Sequence, residues 1–174
     1  MSRIWVVILV FISLMLSGCE VSKKVYTVIQ DPDVPVGYPD QNPTEIEFSL
    51  LADSDINQNL EGEASPTDIQ VIYLEDDSKL LSTDYYQIAT EPLDKILGKN
   101  YVDHQDYTLE PGQFKPLKPI KIESKTQYLA VIAHYAGSDS GLIYWLDIVD
   151  IDGVGKKYKI LIHLRAGEVE IKKS

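Results

Sequence analysis

Glu45-Ile46-Glu47-Phe48-Ser49-Leu50 alternates polar and apolar residues with a period of two. Successive side chains of a strand point to opposite faces, so this stretch predicts a strand with one buried and one solvated face. Ile69 to Leu74 predicts a second strand. Further strands are expected at Asp106 to Leu109, Leu117 to Ile122, Gln127 to Tyr135, Leu142 to Ile151, Lys157 to Leu164 and Val169 to Lys172. Turn-forming residues separate them at Pro111-Gly112, Gly137 to Gly141, Asp152-Gly153 (read as a hairpin turn) and Ala166-Gly167. Short strands with regular turns and little helix predict a mainly β fold, an antiparallel two-sheet β-sandwich.

Two stretches break the pattern. Asp53 to Thr67 is a polar connection with Asn57, Asn59, Gly62 and Pro66, far longer than a tight hairpin between the first two core strands needs. Within it Ile56 and Leu60 stand four apart, so one helical turn would place both on the same side, either as partner-binding knobs or tucked back onto the sandwich. Residues 78 to 98 predict two short helices as a small insertion. Ser82-Thr83-Asp84 caps the first ahead of Tyr85, Tyr86 and Ile88; Pro92 opens the second, Leu93, Ile96 and Leu97 form its apolar face, and Gly98 ends it.

The N-terminal region has a different character. Arg3 precedes an apolar run from Ile4 to Leu16, too short and wrongly flanked for a spanning helix, which reads as a signal peptide over residues 1–18. It closes on Leu16-Ser17-Gly18-Cys19, which looks like a bacterial lipobox. The Cys19 sulfur would then carry a diacylglycerol and become the mature N-terminus, held on the bilayer by two or three acyl chains. Residues 19–43 read as a tether containing Pro32, Pro35, Pro39 and Pro43, with Val25 to Ile29 as a short edge strand. The sandwich domain would occupy residues 44–174.

Residues 1–18 contain one charged side chain, Arg3, so the remaining 156 residues carry 27 acidic against 15 basic side chains, a net charge of −12. That balance argues against nucleic acid and against direct adhesion to anionic lipid. Cys19 is the sole cysteine, so the domain holds no disulfide and its stability must come from packing.

Catalytic patterns do not assemble. His104, His134 and His163 show no metal-ligand spacing. A calcium loop started at Asp150 would put Val154 and Leu161 where oxygen ligands are required. Asp139-Ser140-Gly141 reads as a turn rather than a nucleophile elbow, and Asp76-Asp77 beside Glu75 as a solvated acidic turn. Neither a cofactor nor a small-molecule substrate is expected beyond the covalent lipid.

Asn57 followed by Gly62-Glu63-Ala64-Ser65-Pro66 and Ile69-Gln70-Val71, then Asp84-Tyr85 with Ile88, Leu109-Glu110-Pro111-Gly112, the strand Tyr128 to Tyr135, and Trp145 occur in fixed order behind the lipobox. In that order and spacing the chain resembles the outer-membrane lipoproteins of type VI secretion systems, the TssJ/VasD family. It departs from the family at Ala130, where glycine is frequent, and at Ala136 and Leu146, where arginine is. The resemblance implies a transthyretin-like sandwich with no catalytic activity. It also implies a lipid-anchored protein on the periplasmic face of the outer membrane, which Glu20 after the cysteine, not aspartate, agrees with.

The implied partner is the periplasmic C-terminal region of TssM and, through it, TssL. In the family the loop between the first two strands contributes to TssM binding. That maps here onto Asp53 to Pro66, with Asp55, Ile56, Asn57, Asn59, Leu60, Glu61 and Gly62 as candidate contacts. The competing reading is another periplasmic lipoprotein on the same sandwich, a pilotin or a small-ligand carrier; a carrier would need a concave apolar pocket.

Overall fold

The computed structural model describes residues 42–138, 141 and 143–174. The signal peptide, the lipobox with Cys19, the tether to residue 41, the short strand expected at Val25 to Ile29, and the residues Asp139 and Ser140 lie outside the described residues.

Among the described residues nine strands form two sheets. β1 (Glu45–Ala52), β4 (Phe114–Pro116), β5 (Ile120–Lys121), β8 (Lys157–Leu164) and β9 (Val169–Lys173) make one, ordered β4-β1-β8-β9 with β5 also paired to β1. β2 (Thr67–Leu74), β3 (Tyr101–Leu109), β6 (Tyr128–Ala133) and β7 (Leu146–Asp150) make the other, ordered β3-β2-β6-β7. The sandwich core lies between them. Ile46, Phe48 and Leu50 of β1 face Ile69, Val71 and Tyr73 of β2 and Leu129, Val131 and Ala133 of β6, with Ile160, Ile162 and Leu164 of β8 beside them.

One pairing departs from the antiparallel expectation: β1 and β8 run parallel, in register from Glu45↔Lys157 to Ala52↔Leu164. Alternation specifies which face is buried but says nothing about strand direction, and the long path between these strands permits either.

The insertion comprises three short α-helices, one more than expected, α1 (Ser78–Leu81), α2 (Tyr85–Thr90) and α3 (Leu93–Leu97), followed by a 3₁₀ turn at Gly98–Asn100. Asp84 caps α2 as predicted, its carboxylate accepting the Gln87 N–H at 2.9 Å. Leu80, Ile88, Leu93 and Leu97 form a second core with Ile72, Leu74, Ala130 and Ile132, so the helices cover the outer face of the β2–β6 sheet. Burial on both faces is why β2 and β6 are nearly continuous apolar runs, unlike β1.

Two strand limits differ from expectation for physical reasons. β3 begins at Tyr101, not Asp106, because as an edge strand it tolerates polar Asp103 and His104. The single strand expected over Leu117 to Ile122 is replaced by β4 and β5, interrupted where Pro116 and Pro119 lack the N–H a ladder needs.

The chain enters β1 through fully buried Thr44. Its N–H bonds the Gly153 carbonyl at 2.9 Å, and its hydroxyl donates to the Asp152 carbonyl at 2.5 Å and accepts the Lys156 N–H at 3.1 Å. Asp152-Gly153 is therefore not a hairpin turn: it belongs to the crossing from β7 in one sheet to β8 in the other. A Cβ on Gly153 would sit 2.6 Å from the carbonyl oxygens of both Glu123 and Ser124. Backbone cannot yield as a side chain can, so Gly153→Ala is expected to cost about 1–3 kcal/mol, read as a lower urea midpoint. An unchanged midpoint would show that the two segments separate freely.

Candidate partner-binding surface

At the far end of β1 the chain turns into the long loop, whose base is fixed first. The Asp53 N–H donates to the Leu164 carbonyl at 2.9 Å, and the Gly112 N–H donates to the Asp53 carbonyl at 3.0 Å. The Asp53 carboxylate meets His163 Nε2 at 2.8 Å. These bonds tie the loop to the end of β8 and to the Pro111-Gly112 turn.

Ile56 then points inward. It is 0 % exposed and part of the sandwich core, so its assignment as a candidate contact is corrected: the side chain is filling, not surface. The helical turn invoked to place Ile56 and Leu60 together does not form, since the loop is built of turns and bends. Asn57 redirects the chain through a left-handed conformation (φ 49°), which asparagine adopts more readily than most residues. Its amide spans two neighbours, Nδ2 donating to the Pro66 carbonyl at 2.9 Å and Oδ1 accepting the Ala136 N–H at 2.6 Å. Half-buried and doubly bonded, Asn57 serves as an internal strut.

Asn59 organises the tip. Its Oδ1 accepts the N–H groups of Glu61 and Glu63, each at 2.9 Å; its own N–H donates to the Glu63 carbonyl, and its carbonyl accepts the Gly62 N–H at 3.0 Å. Gly62 closes the ring at φ 80°, a conformation that suits glycine. The ring holds Leu60 at its apex, 108 % exposed, as free as in an extended peptide. Glu61 follows it directly in the chain and Asp55 precedes the Asn57 step, both exposed. Of the predicted loop residues, the fold thus leaves Asp55, Leu60 and Glu61 as outward groups, uses Asn57, Asn59 and Gly62 to shape the loop, and buries Ile56.

Two aromatics at this end escaped the sequence reading. Tyr144, 73 % exposed, forms a single bridge with Glu168 across the sandwich margin, and Phe114, 60 % exposed, opens β4 opposite Leu51. Both were absorbed into expected strands or passed over, and no local pattern distinguishes an outward from an inward aromatic at a strand end.

Elsewhere, His134 accepts from or donates to Tyr85 Oη through Nδ1 at 3.1 Å and meets Gln70 Oε1 through Nε2 at 3.2 Å, so both ring nitrogens are occupied. Loss of hydration pulls its pKa below the usual histidine value, against the opposing pull of Asp68 and Asp106. The open concavity beside it, about 400 Å³, is lined by Asp68, Ile69, Gln70, Asp106, Tyr107 and Thr108 and is more polar than apolar. Among the described residues no group of three or more histidines and carboxylates is gathered as a metal site.

The model of the type VI secretion lipoprotein family (VasD, EvfM, TssJ) matches residues 44–167, the whole sandwich but its last strand. The chain belongs to this family. It is a type VI secretion lipoprotein and not an enzyme.

The fold is similar to that of the T6SS lipoprotein TssJ1 from Pseudomonas aeruginosa, with a TM-score of 0.69 and 23 % identity over 76 % of this chain and 97 % of that one. Serratia marcescens Lip, a membrane-bound component of the type VI secretion system, gives 0.65 and 18 % over 74 % and 96 %. A chain of the structure of the T6SS protein TssM C-terminal domain from EAEC gives 0.60 and 15 % over 74 % and 97 %. At these identities the likeness is one of fold. No curated protein matches the sequence.

Proposed function

We propose that this lipoprotein anchors the periplasmic C-terminal region of TssM, and through it TssL, to the inner leaflet of the outer membrane. Lipid on Cys19 makes one attachment and the β1–β2 loop makes the other. The observation that carries the reading is Leu60: a large apolar side chain, fully exposed, on a loop that its own hydrogen bonds hold in place. An apolar group displayed on a pre-ordered tip can be buried by a partner without the entropy cost of ordering the loop, which is how an interface anchor behaves. Family membership supports the compartment and the machine, and Glu20 after Cys19 supports the outer membrane as destination.

The test is binding of the soluble domain, residues 20–174, to the periplasmic C-terminal region of TssM from the same genome, comparing wild type with Leu60→Asp. Placing a charge where an apolar anchor is buried is expected to weaken binding about a hundredfold, roughly 2.7 kcal/mol, with the melting temperature unchanged. Tight binding by both proteins would keep the anchor role and move its site elsewhere. Failure of the wild type to bind would turn the assignment toward a pilotin or carrier role.

A further inference from the structure

The charge around Leu60 points to the chemistry of what receives it. Residues 53–66 contain Asp53, Asp55, Glu61 and Glu63 and no lysine or arginine. Two of these carboxylates have partners within the fold: Asp53 meets His163, and Glu63 takes the Asn59 side-chain amide at 3.3 Å. Asp55 and Glu61 have no hydrogen bond or ion pair from their carboxylates among the described residues, and both are exposed on the loop that carries Leu60.

Two cations at this end are engaged elsewhere. Arg165 is engaged by Glu168 at 3.1 Å and Glu170 at 3.0 Å, and Lys115 lies over the Tyr107 ring at 5.5 Å. The loop therefore carries an exposed apolar side chain together with two exposed, unpaired carboxylates, on a domain already strongly acidic.

We propose that the partner surface is an apolar pocket rimmed by lysine or arginine, which takes Leu60 at its centre and pairs with Asp55 and Glu61 at its edge. This deepens the reading of the loop as the TssM contact and rests on it. A neutral apolar pocket would remove water from two unpaired carboxylates without return, and an acidic one would repel them; a basic rim converts the same groups into steering and register. Anionic lipid is disfavoured by the same charges.

The experiment titrates the TssM periplasmic C-terminal region with wild type, with Asp55→Lys/Glu61→Lys, and with Asp55→Asn/Glu61→Gln, from about 50 to about 500 mM salt. Wild-type affinity is expected to fall about tenfold or more over that range. At the low-salt end the lysine pair is expected to bind about tenfold or more weaker than wild type with little remaining salt dependence, and the neutral pair to lie between. Both positions are exposed, so unchanged circular dichroism and melting temperature are expected alongside. Wild-type binding that is lost in Leu60→Asp yet indifferent to salt and to charge reversal would overturn the basic rim and leave the anchor reading standing. No binding by the wild type would overturn the anchor reading and this proposal together.

Discussion

Ile56→Ala is expected to lower the unfolding free energy by about 2–5 kcal/mol, whereas Leu60→Ala, four residues further on, should leave it within about 0.5 kcal/mol of wild type. Ile56 is completely buried among the residues that join the two sheets. The loop around it is also pinned: the Ser65 N–H bonds the Ile56 carbonyl at 3.2 Å, Asp53 is tied to β8, and Asn57 to the segment after β6. A pinned loop cannot collapse into the space left by the lost side chain, so the cavity term adds to the lost transfer energy. Urea unfolding of the two variants checks this directly. A wild-type midpoint for Ile56→Ala would place the side chain outside the core. The same contrast decides how binding is tested, because a charge at position 56 would weaken any interface merely by unfolding the domain that presents it.

Cys19→Ser is expected to remove the protein from the outer membrane almost completely. On the lipid attachment proposed above, a serine oxygen would not take up the diacylglycerol that the cysteine thiolate would accept, and each acyl methylene lost would forfeit about 0.8 kcal/mol of bilayer affinity. What remains is a domain whose net charge of −12 over residues 19–174 offers anionic lipid nothing in exchange. The sandwich should be unaffected, since its described strands begin at Glu45. Fractionation with a folding probe on the variant checks both halves. Full retention in the outer membrane would show that something other than lipid holds it there.

The strand pattern of β1 could be read from Glu45 to Leu50 because solvent lies on one side of it. β2 and β6 were equally visible as strands, but the reason for their unbroken apolarity was not: Ile72, Leu74, Ala130 and Ile132 look outward to helices lying elsewhere in the sequence. Strand direction was illegible, since a period of two is the same read from either end, and the parallel β1–β8 pair is where this mattered. In the loop, Ile56 and Leu60 are chemically similar and were treated alike on helical spacing. Their opposite fates follow from Asn57 and Asn59, whose side chains replace a helical turn with a left-handed step and a closed ring. In the sequence both asparagines mark a loop; the direction it takes depends on which backbone groups their amides reach across the fold.

β1 has a consequence that lies in mechanics. The chain enters the sandwich at Pro43 and Thr44, crosses it along an already extended strand of eight residues, and emerges directly into the loop that carries Leu60. At about 3.3 Å per residue the strand is close to its full length before any load is applied. Tension between the proposed lipid and a partner gripping Leu60 would run through the covalent backbone from Asn42 to Leu60, with residues 61–174 joined to that segment from the side through hydrogen bonds and packing. The two sheets would then brace a taut cord instead of being links in it. A grip on β9 would instead pull across the whole sandwich, and every hydrogen bond between its strands would become a place to tear.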